Sequence, residues 1–406
     1  MKVYKNKENC CGCGLCEKIC PKQAIVLCED SNGFMYPTIN EKKCIECGLC
    51  IKSCNFNAEG TNSVLESYAA ININQKSIMK SASGGMFSAL ATDFLKHNGV
   101  VVGVTNKFGK SEVKVEHQIV NKKVDLEKLQ GSKYVQSDIR PILIEIQKKL
   151  KNGEKVLFSG TPCQVAAVKK MNEKCDDKLY TIDIICHGVP SNKVFNDYLK
   201  YQSQYGGFNI IDFIFRDKKY GWGLDGCIKA INKKNRVIEK KINPENSSYY
   251  HFFLTGEIYR ESCYQCPYAQ ESRIGDLTIG DYWGIEQYSP EMLKKNGGKF
   301  EESKGVSCLL VNNYKGKKLL VDYGKNIEKM PVSIKKIKKI NTQLEHPANY
   351  TKIRKILLNG YKNIGYRFIE RKFMSWKIRY KLKIFLLRMI PKKIKQKLKN
   401  LKNQYL

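Results

Sequence analysis

The chain has 406 residues, 42% of them hydrophobic, and a formal net charge of +32 at pH 7. This length predicts two or three domains, and the apolar content excludes an intrinsically disordered protein. Seventeen cysteines with no signal-peptide-like segment before them argue against a disulfide scaffold, and no apolar run has the length needed to span a bilayer. We therefore expect thiolate ligands or free thiols in a reducing cytoplasm.

Two cysteine runs near the amino terminus share one spacing. In ENCCGCGLCEKICP, cysteines recur at steps of three, three and four before a proline, and the same steps return 34 residues later. The repeated positions are Cys10, Cys13, Cys16 and Cys20, and then Cys44, Cys47, Cys50 and Cys54. Asn55 replaces the closing proline of the second run. The intervening AIVLCEDSNGFMYPTI predicts two short strands around a turn, so the two runs form an internal repeat.

This spacing is typical of two-cluster ferredoxins, in which the fourth cysteine of each run ligates the other cluster. One [4Fe–4S] cluster would take Cys10, Cys13, Cys16 and Cys54, and the other Cys20, Cys44, Cys47 and Cys50. The alternatives are a zinc site and a disulfide knot. Structural zinc usually uses two separated cysteine pairs, which three cysteines within seven residues fit poorly. Cys11 and Cys28 match no ligand position and are predicted to be spectators.

The rest of the chain predicts an α/β body. The polar stretch 55–67 is predicted to be a linker, and strands and helices alternate from there to about residue 330. Residues 155–159 and 179–185 are predicted strands, each followed by a cysteine-containing loop and a helix; Ser191 is placed to cap the second helix. Ligands in such sheets bind beyond the carboxyl ends of the strands. Further strands are predicted at 210–215, 227–231, 237–242, 276–280 and 306–311, which indicates a mixed sheet or an additional antiparallel layer.

Four later cysteines are candidates for a third cluster: Cys163, Cys186, Cys263 and Cys266. Cys266-Pro267 resembles the end of a cluster motif. The spacing alone supports buried thiols at least as well.

In addition, SASGGMFSAL at 81–90 predicts a glycine turn opening a helix, where free backbone N–H groups suit a phosphate. By itself this turn is more often an ordinary helix start.

Five motifs together resemble one family. They are SASGGMFSAL, GSKYVQSDI, LFSGTPCQVAAV, DIICHGVPS and CYQCPYAQESRIGDLTIGDYWG. In this order, over about residues 68–325, they resemble the coenzyme F420 hydrogenase/dehydrogenase beta subunits, a family that includes plant 7-hydroxymethyl chlorophyll a reductase. The amino-terminal cysteine runs are similar to the ferredoxin module fused to many members. The resemblance implies a flavoprotein that holds FAD beside an iron–sulfur cluster and exchanges electrons with a soluble carrier or substrate.

The resemblance also implies site residues. It favours a cluster at Cys163, Cys186, Cys263 and Cys266. It makes Ser83, Gly84 and Gly85 candidates for the FAD phosphates, and Lys133, Tyr134, Gln136, Thr161, Gln164 and Arg273 candidates for the other FAD contacts. His187, Asp276 and Asp281 are candidate proton donors near the flavin. A loop-stabilising hydrogen bond is the alternative for His187, and turn or strand-end roles are the alternative for the two aspartates.

The carboxyl-terminal part is strongly basic: residues 361–406 contain fifteen lysines or arginines and a single acid, Glu370. Residues 371–390 predict a helix that ends at Pro391. Its apolar stripe is Phe373, Trp376, Tyr380, Ile384 and Leu387, with Lys377, Lys381, Lys383 and Arg388 beside it. Such a helix suits an anionic membrane surface or an acidic partner, and packing on the protein's own body is the alternative. Nucleic acid comes third because no recognition module accompanies the charge.

The predicted architecture is α+β or α/β. We expect a dicluster ferredoxin-like domain at 1–60, a mixed-sheet α/β FAD and iron–sulfur domain at 68–330, and a basic helical extension at 331–406. The favoured function is an iron–sulfur flavoprotein oxidoreductase that uses a ferredoxin, a coenzyme F420-like carrier or another small anionic substrate. The alternatives are an electron-transfer subunit of a larger redox complex and a cluster-bearing regulatory or nucleic-acid-binding protein.

Overall fold

The structure is a computed structural model, and it describes residues 3–57, 62–109 and 112–389. The strands are β1 Ile25–Glu29, β2 Met35–Ile39, β3 Glu66–Asn72, β4 Val100–Phe108, β5 Val113–Val120, β6 Val156–Gly160, β7 Leu179–Ile184, β8 Phe208–Ile214, β9 Gly226–Asn232, β10 Val237–Ile242, β11 Leu277–Asp281, β12 Ser307–Val311 and β13 Ile327–Pro331. The helices are α1 Leu15–Ile19, α2 Leu49–Lys52, α3 Gln75–Met79, α4 Met86–Lys96, α5 Arg140–Lys151, α6 Pro162–Met171, α7 Asn192–Gly206, α8 Ser248–Leu254, α9 Ile285–Tyr288, α10 Tyr314–Tyr323, α11 Ile334–Lys338, α12 Lys352–Ile364 and α13 Tyr366–Met389.

The described residues form three sheets. The largest has eight strands in the order β13-β3-β12-β11-β7-β6-β4-β5, and a separate antiparallel sheet has the order β10-β9-β8. In the large sheet, β4, β6, β7 and β11 run parallel, while β3, β5, β12 and β13 are joined by antiparallel pairs. The sequence left a mixed sheet and an additional antiparallel layer open as alternatives, and both are present.

The centre of the body follows the predicted pattern. Strands β6 and β7 are adjacent and parallel, and each is followed by a helix, α6 or α7. Apolar runs such as Val156–Phe158 are fully buried because helices cover both faces of a parallel sheet. Ser191 is the N-cap of α7, where its Oγ accepts from Val194 N at 3.2 Å, as predicted. The carboxyl ends of β6 and β7 therefore place their cysteine loops side by side.

The amino-terminal module consists of a β1–β2 hairpin and two short helices. The hairpin pairs Ile25 with Ile39 and turns through residues 30–34, where Asp30 Oδ1 accepts from the backbone N–H groups of Asn32 and Phe34. The predicted linker is only partly described: residues 58–61 lie outside the described structure, Asn62 pairs with Arg273 in an antiparallel bridge, and β3 already begins at Glu66.

The carboxyl-terminal region packs onto the body. Phe373 is 1% exposed, and the Trp376 ring lies 3.8 Å from the ring of His251 on α8. These two members of the predicted stripe therefore follow the alternative of packing on the protein itself. The side chains of Lys383, Ile384, Leu387 and Arg388 and the predicted end at 390–391 lie outside the described residues. Within the described chain, no helix is both long enough and apolar enough to cross a membrane.

Candidate functional site

Two cavities in the amino-terminal module are each lined by four of the predicted ligands. One is lined by Cys10, Cys13, Cys16 and Cys54, and the other by Cys20, Cys44, Cys47 and Cys50. This is the crossed grouping that the motif spacing predicts. All seventeen cysteines are free thiols. Among the described residues, no three His, Cys, Asp or Glu side chains converge closely enough for a single metal ion. Four cysteines around one cavity are the donor set of a [4Fe–4S] cubane.

The backbone of the two cysteine runs repeats the same conformation. Gly12 and Gly14 have φ values of 68° and 77°, and the equivalent Glu46 and Gly48 have φ values of 52° and 69°. Left-handed residues alternating with right-handed ones turn successive N–H groups toward one side, which produces the concave anion sites found around many iron–sulfur clusters. The donor set and the backbone both fit [4Fe–4S] clusters.

A third cavity brings together the four later cysteines. Cys163 lies in the first turn of α6, Cys186 follows β7, and Cys263 and Cys266 lie in and just after a short 3₁₀ helix, and all four line the cavity. Burial and the neighbouring thiols raise the pKa of Cys263 to about 12 and that of Cys266 to about 11. A bound cation such as iron would stabilise these cysteines as thiolates.

Cys11, which matches no motif position, also lines this inner cavity. It is 8% exposed, and it shares the cavity wall with Cys13 of the module and Cys163 of α6. Asn55 makes a second bridge: its Oδ1 accepts from Cys13 Sγ at 3.4 Å, and its Nδ2 donates to the Cys163 carbonyl at 2.8 Å. The residue that replaces the motif proline thus links the two cysteine sites. Cys28, by contrast, is exposed.

A larger cavity of about 420 Å³ adjoins the inner one and has the size of a small-molecule site. One end is formed by residues 81–88 at the amino terminus of α4, where Gly85 has a φ of 80°. The first amides of a helix have no intrahelical acceptor, so they are available to an anion. The two cavities share Thr161, Gln164 and Cys186 in their walls.

Comparison with known proteins identifies the family. Residues 153–353 match the family model for the carboxyl terminus of the coenzyme F420 hydrogenase/dehydrogenase beta subunit, and residues 9–58 match a 4Fe-4S dicluster domain. Residues 153–353 therefore belong to the coenzyme F420 hydrogenase/dehydrogenase beta subunit family. Among solved structures, a chain from the F420-reducing [NiFe] hydrogenase complex of Methanosarcina barkeri is 14% identical, with a TM-score of 0.46, over 73% of this chain and 92% of that chain. No curated protein matches the sequence.

The beta subunit family match confirms the resemblance, and the dicluster match confirms the ferredoxin-like module with [4Fe–4S] clusters as its cofactor class. The protein is therefore an iron–sulfur protein with a redox role.

The residues that the beta subunit resemblance implies for FAD binding are divided between two cavities in the structure. Six of them line the larger cavity: Ser83, Gly85, Lys133, Tyr134, Thr161 and Gln164. Gly84 lies behind its wall, where its N–H donates to Ser307 Oγ at 2.9 Å. Gln136 and Arg273 instead line the inner cavity. Gln136 Nε2 donates to the Cys11 carbonyl at 2.9 Å, so Gln136 contacts the cysteine site.

Arg273 has a structural environment. Its guanidinium is 2% exposed and pairs with the fully buried Asp183 at 2.8 Å. It also donates to the carbonyls of Tyr268 and Gln270, which follow Cys266. These contacts fasten the loop of the inner cysteine site to the carboxyl end of β7.

The two candidate catalytic residues differ in environment. His187 lines both the inner and the larger cavity. Desolvation by the cavity walls lowers the pKa of His187, and the nearby Asp281 carboxylate opposes this shift. Both oxygens of Asp281 are engaged, by Arg216 at 2.6 and 3.0 Å and by Trp222 Nε1 at 2.9 Å. The His187 side chain therefore faces the cavities, whereas Asp281 is tied into an ion pair.

A cationic and aromatic group beside the larger cavity was not predicted from the sequence. Arg216 lies 5.1 Å from the ring of Trp283, and this ring stacks on Trp222 with centroids 4.7 Å apart. Lys218 Nζ donates to the Ser83 carbonyl at 2.5 Å, behind the α4 loop. Desolvation lowers the pKa values of Lys133 and Lys218 to about 7. The basic residues of FRDKKYGWG next to a tryptophan are the signal that could have indicated this group.

Proposed function

We propose that this protein is an iron–sulfur flavoprotein oxidoreductase that passes electrons between its [4Fe–4S] clusters and FAD, and onward to a soluble carrier or a small anionic substrate. The continuity of the cavities carries this proposal. The first cluster cavity and the inner cavity share Cys11 and Cys13, and the inner and larger cavities share Thr161, Gln164 and Cys186. A bound flavin would convert single-electron traffic into two-electron hydride chemistry.

The proposed domains are the module at 1–60, the redox body at 68–330 and the basic extension at 331–406.

The residues around the larger cavity support an FAD site. The amino terminus of α4, with Ser83 and Gly85, offers backbone donors to the phosphates. Lys133 in the wall and Lys218 behind the loop carry amines that an anion would hold in the protonated form. Tyr134 stacks on Phe253 at 4.4 Å and provides a rigid apolar wall. Gln136 and Arg273 are left out of this proposed site because they line the inner cavity.

We further propose His187 as the group that exchanges a proton at the larger cavity, with Asp281 holding Arg216 in place beside it. A neutral imidazole near physiological pH can both accept and donate a proton. Asp281 acts as a positioning residue, because each of its oxygens accepts a hydrogen bond from a neighbouring side chain.

The charge supports an anionic carrier. A chain with a net charge of +32 attracts acidic partners such as a ferredoxin or an F420-type carrier with its acidic tail. The second candidate, an electron-transfer subunit of a larger redox complex, is supported by the family's description as a beta subunit. The third, a regulatory or nucleic-acid-binding protein, predicts no flavin.

The deciding experiment is anaerobic purification followed by iron and released-flavin analysis of the same sample. The proposal expects about twelve irons and one FAD per chain, because three cubanes hold four irons each. About eight irons with FAD would remove the inner cluster from the proposal. Eight irons without flavin, even after FAD is added, would contradict the oxidoreductase function and favour the third candidate.

The described part of α13 supports peripheral contact with an anionic membrane. Met374, Ile378, Leu382 and Phe385 are spaced by three or four residues, and each is 46–60% exposed. Lys377 and Lys381 lie beside this stripe. It faces away from the buried Phe373, so it is a different face of the helix from the one predicted. Apolar side chains flanked by lysines suit a surface of anionic lipids.

The double variant Ile378→Ser/Leu382→Ser is expected to lower binding to vesicles of phosphatidylcholine with phosphatidylserine at least tenfold, because two apolar side chains lose their burial in lipid. Vesicle co-sedimentation at low and physiological salt measures this. Val321→Ser on α10, which is 71% exposed, is the matched control and is expected to bind as the wild type does. Equal sedimentation of the wild type and the double variant would contradict the membrane contact.

A further inference from the structure

Among the side chains that the structure describes, four arginines are more than nine-tenths buried: Arg216, Arg260, Arg273 and Arg354. Three of them pair with a carboxylate: Arg216 with Asp281, Arg273 with Asp183 and Arg354 with Glu261. Arg260 is the most buried, at 1% exposure, and takes part in no ion pair within the described residues. It is therefore the exception among the buried arginines.

The contacts of Arg260 join the module to the body. Its Nε donates to the Cys10 carbonyl at 2.7 Å, and its Nη2 donates to the Met35 carbonyl at 2.7 Å. Nη1 donates to Gln136 Oε1 at 3.3 Å, and the guanidinium lies 4.3 Å from the ring centre of Tyr36. Each of these acceptors is neutral. A further contact is with sulfur, from Nη2 to Cys10 Sγ at 3.7 Å.

Arg260 stands between two cysteine sites. It lines the inner cavity with Cys163 and Cys263, and it presses against the cluster loop of the module. A Cβ added at Gly12 would lie 2.7 Å from Arg260 Nη1 and 2.8 Å from its Cζ. The glycine at this loop position therefore makes room for the guanidinium.

A guanidinium does not lose its proton in a protein, and a buried charge requires a compensating charge. Iron-bound thiolates and the sulfides of a cubane carry net negative charge, and both cysteine sites touch Arg260. We propose that Arg260 is the counter-charge of the iron–sulfur clusters on either side of it. In this role it raises their reduction potentials and couples cluster loading to the docking of the module. The inference rests on the proposed function for the presence of the inner cluster.

The chain offers a matched control. Arg140 also presses against the module, because a Cβ added at Gly14 would lie 2.3 Å from its Cγ. Arg140 is paired with Asp138 at 2.6 Å, so its charge is already balanced. Arg140, like Arg260, is a cation that lies against a cluster loop of the module. The Asp138 carboxylate largely cancels its electric field, so replacing Arg140 should change the field at the clusters little.

The test is an anaerobic redox titration of Arg260→Gln, followed by electron paramagnetic resonance, with iron content measured on the same sample. We expect the oxidised–reduced equilibrium of the module cluster held by Cys10 to shift at least tenfold toward the oxidised form. For a one-electron couple this lowers the midpoint by about 59 mV. Arg260→Lys, which keeps the charge, and Arg140→Gln are expected to shift the equilibrium less than threefold.

Arg260→Gln with full iron content and a shift below twofold would overturn the inference. If Arg260→Gln loses its irons, Arg260→Lys decides between the two explanations. Clusters that Arg260→Lys retains at a near-wild-type potential support the counter-charge role. Equal loss of iron in both variants overturns it. Failure of the proposed function can be distinguished from failure of this inference. It would appear in the wild-type protein itself, as missing flavin or missing inner-cluster iron.

Discussion

Replacing Cys263 with serine is expected to remove about four of about twelve irons while FAD remains bound. Cys263 lines the inner cavity with Cys163, Cys186 and Cys266, and it does not line the larger cavity. A serine oxygen is a poor ligand for a cubane that is built on thiolates, so the inner cluster is expected to be lost as a unit. Iron analysis, released flavin and the visible spectrum of one anaerobic sample measure the outcome.

The choice of cysteine and of control makes this result specific. Cys186 lines both cavities, so its replacement would disturb both sites. Cys175 is partly buried, as Cys263 is, but lies in a 3₁₀ helix before β7, outside the three cysteine cavities. Cys175→Ser is expected to keep all irons. Full iron content in Cys263→Ser would show that the inner cysteines are ordinary thiols.

The module could be predicted from the sequence because its ligands are close together in the chain. Steps of three and four residues encode both cysteine cavities and the crossed exchange of Cys20 and Cys54. Strands β6 and β7 were predictable for a similar reason, since short apolar runs followed by loops and helices are local patterns.

The connections between the sites depend on long-range packing, which the sequence does not reveal. Cys11 meets Cys163 over 152 positions of chain, and the Arg260 contact with Cys10 spans 250 positions. In the sequence Asn55 only weakens the end of a motif, but in the structure its side chain bridges the module and α6. A motif assigns ligands within one element, whereas these contacts exist only after the elements have packed together.

The same reason explains why the flavin candidates divided between two cavities. Membership in a motif brings a residue near a site without fixing the direction of its side chain. Gln136 and Tyr134 are two positions apart, yet Gln136 lines the inner cavity and Tyr134 the larger one. Arg273 points toward Asp183, and its hydrogen bonds to the carbonyls of Tyr268 and Gln270 anchor the loop after Cys266.

Gly84→Ala is expected to weaken FAD binding at least tenfold, about 1.4 kcal/mol, while about twelve irons are retained. A Cβ at this position would lie 2.4 Å from the Ala70 carbonyl oxygen and 2.7 Å from the Ser307 amide nitrogen. Both atoms belong to the backbone of β3 and β12, strands that are paired on both sides, so the loop must move instead. Loss of this packing is expected to lower the free energy of unfolding by about 1–3 kcal/mol.

Titration of the apoprotein with FAD, followed by flavin fluorescence, measures the affinity, and a thermal melt measures the stability. Gly223→Ala is the matched control: its φ is ordinary, and an added Cβ there meets no atom within 4 Å. It lies beside Leu224 in the wall of the same cavity, so it is expected to leave FAD binding unchanged. If Gly84→Ala lowers the melting temperature but binds FAD as the wild type does, the α4 loop does not hold the phosphates. A loss of affinity confined to Gly84→Ala ties the flavin to the end of the cavity that the amino terminus of α4 forms.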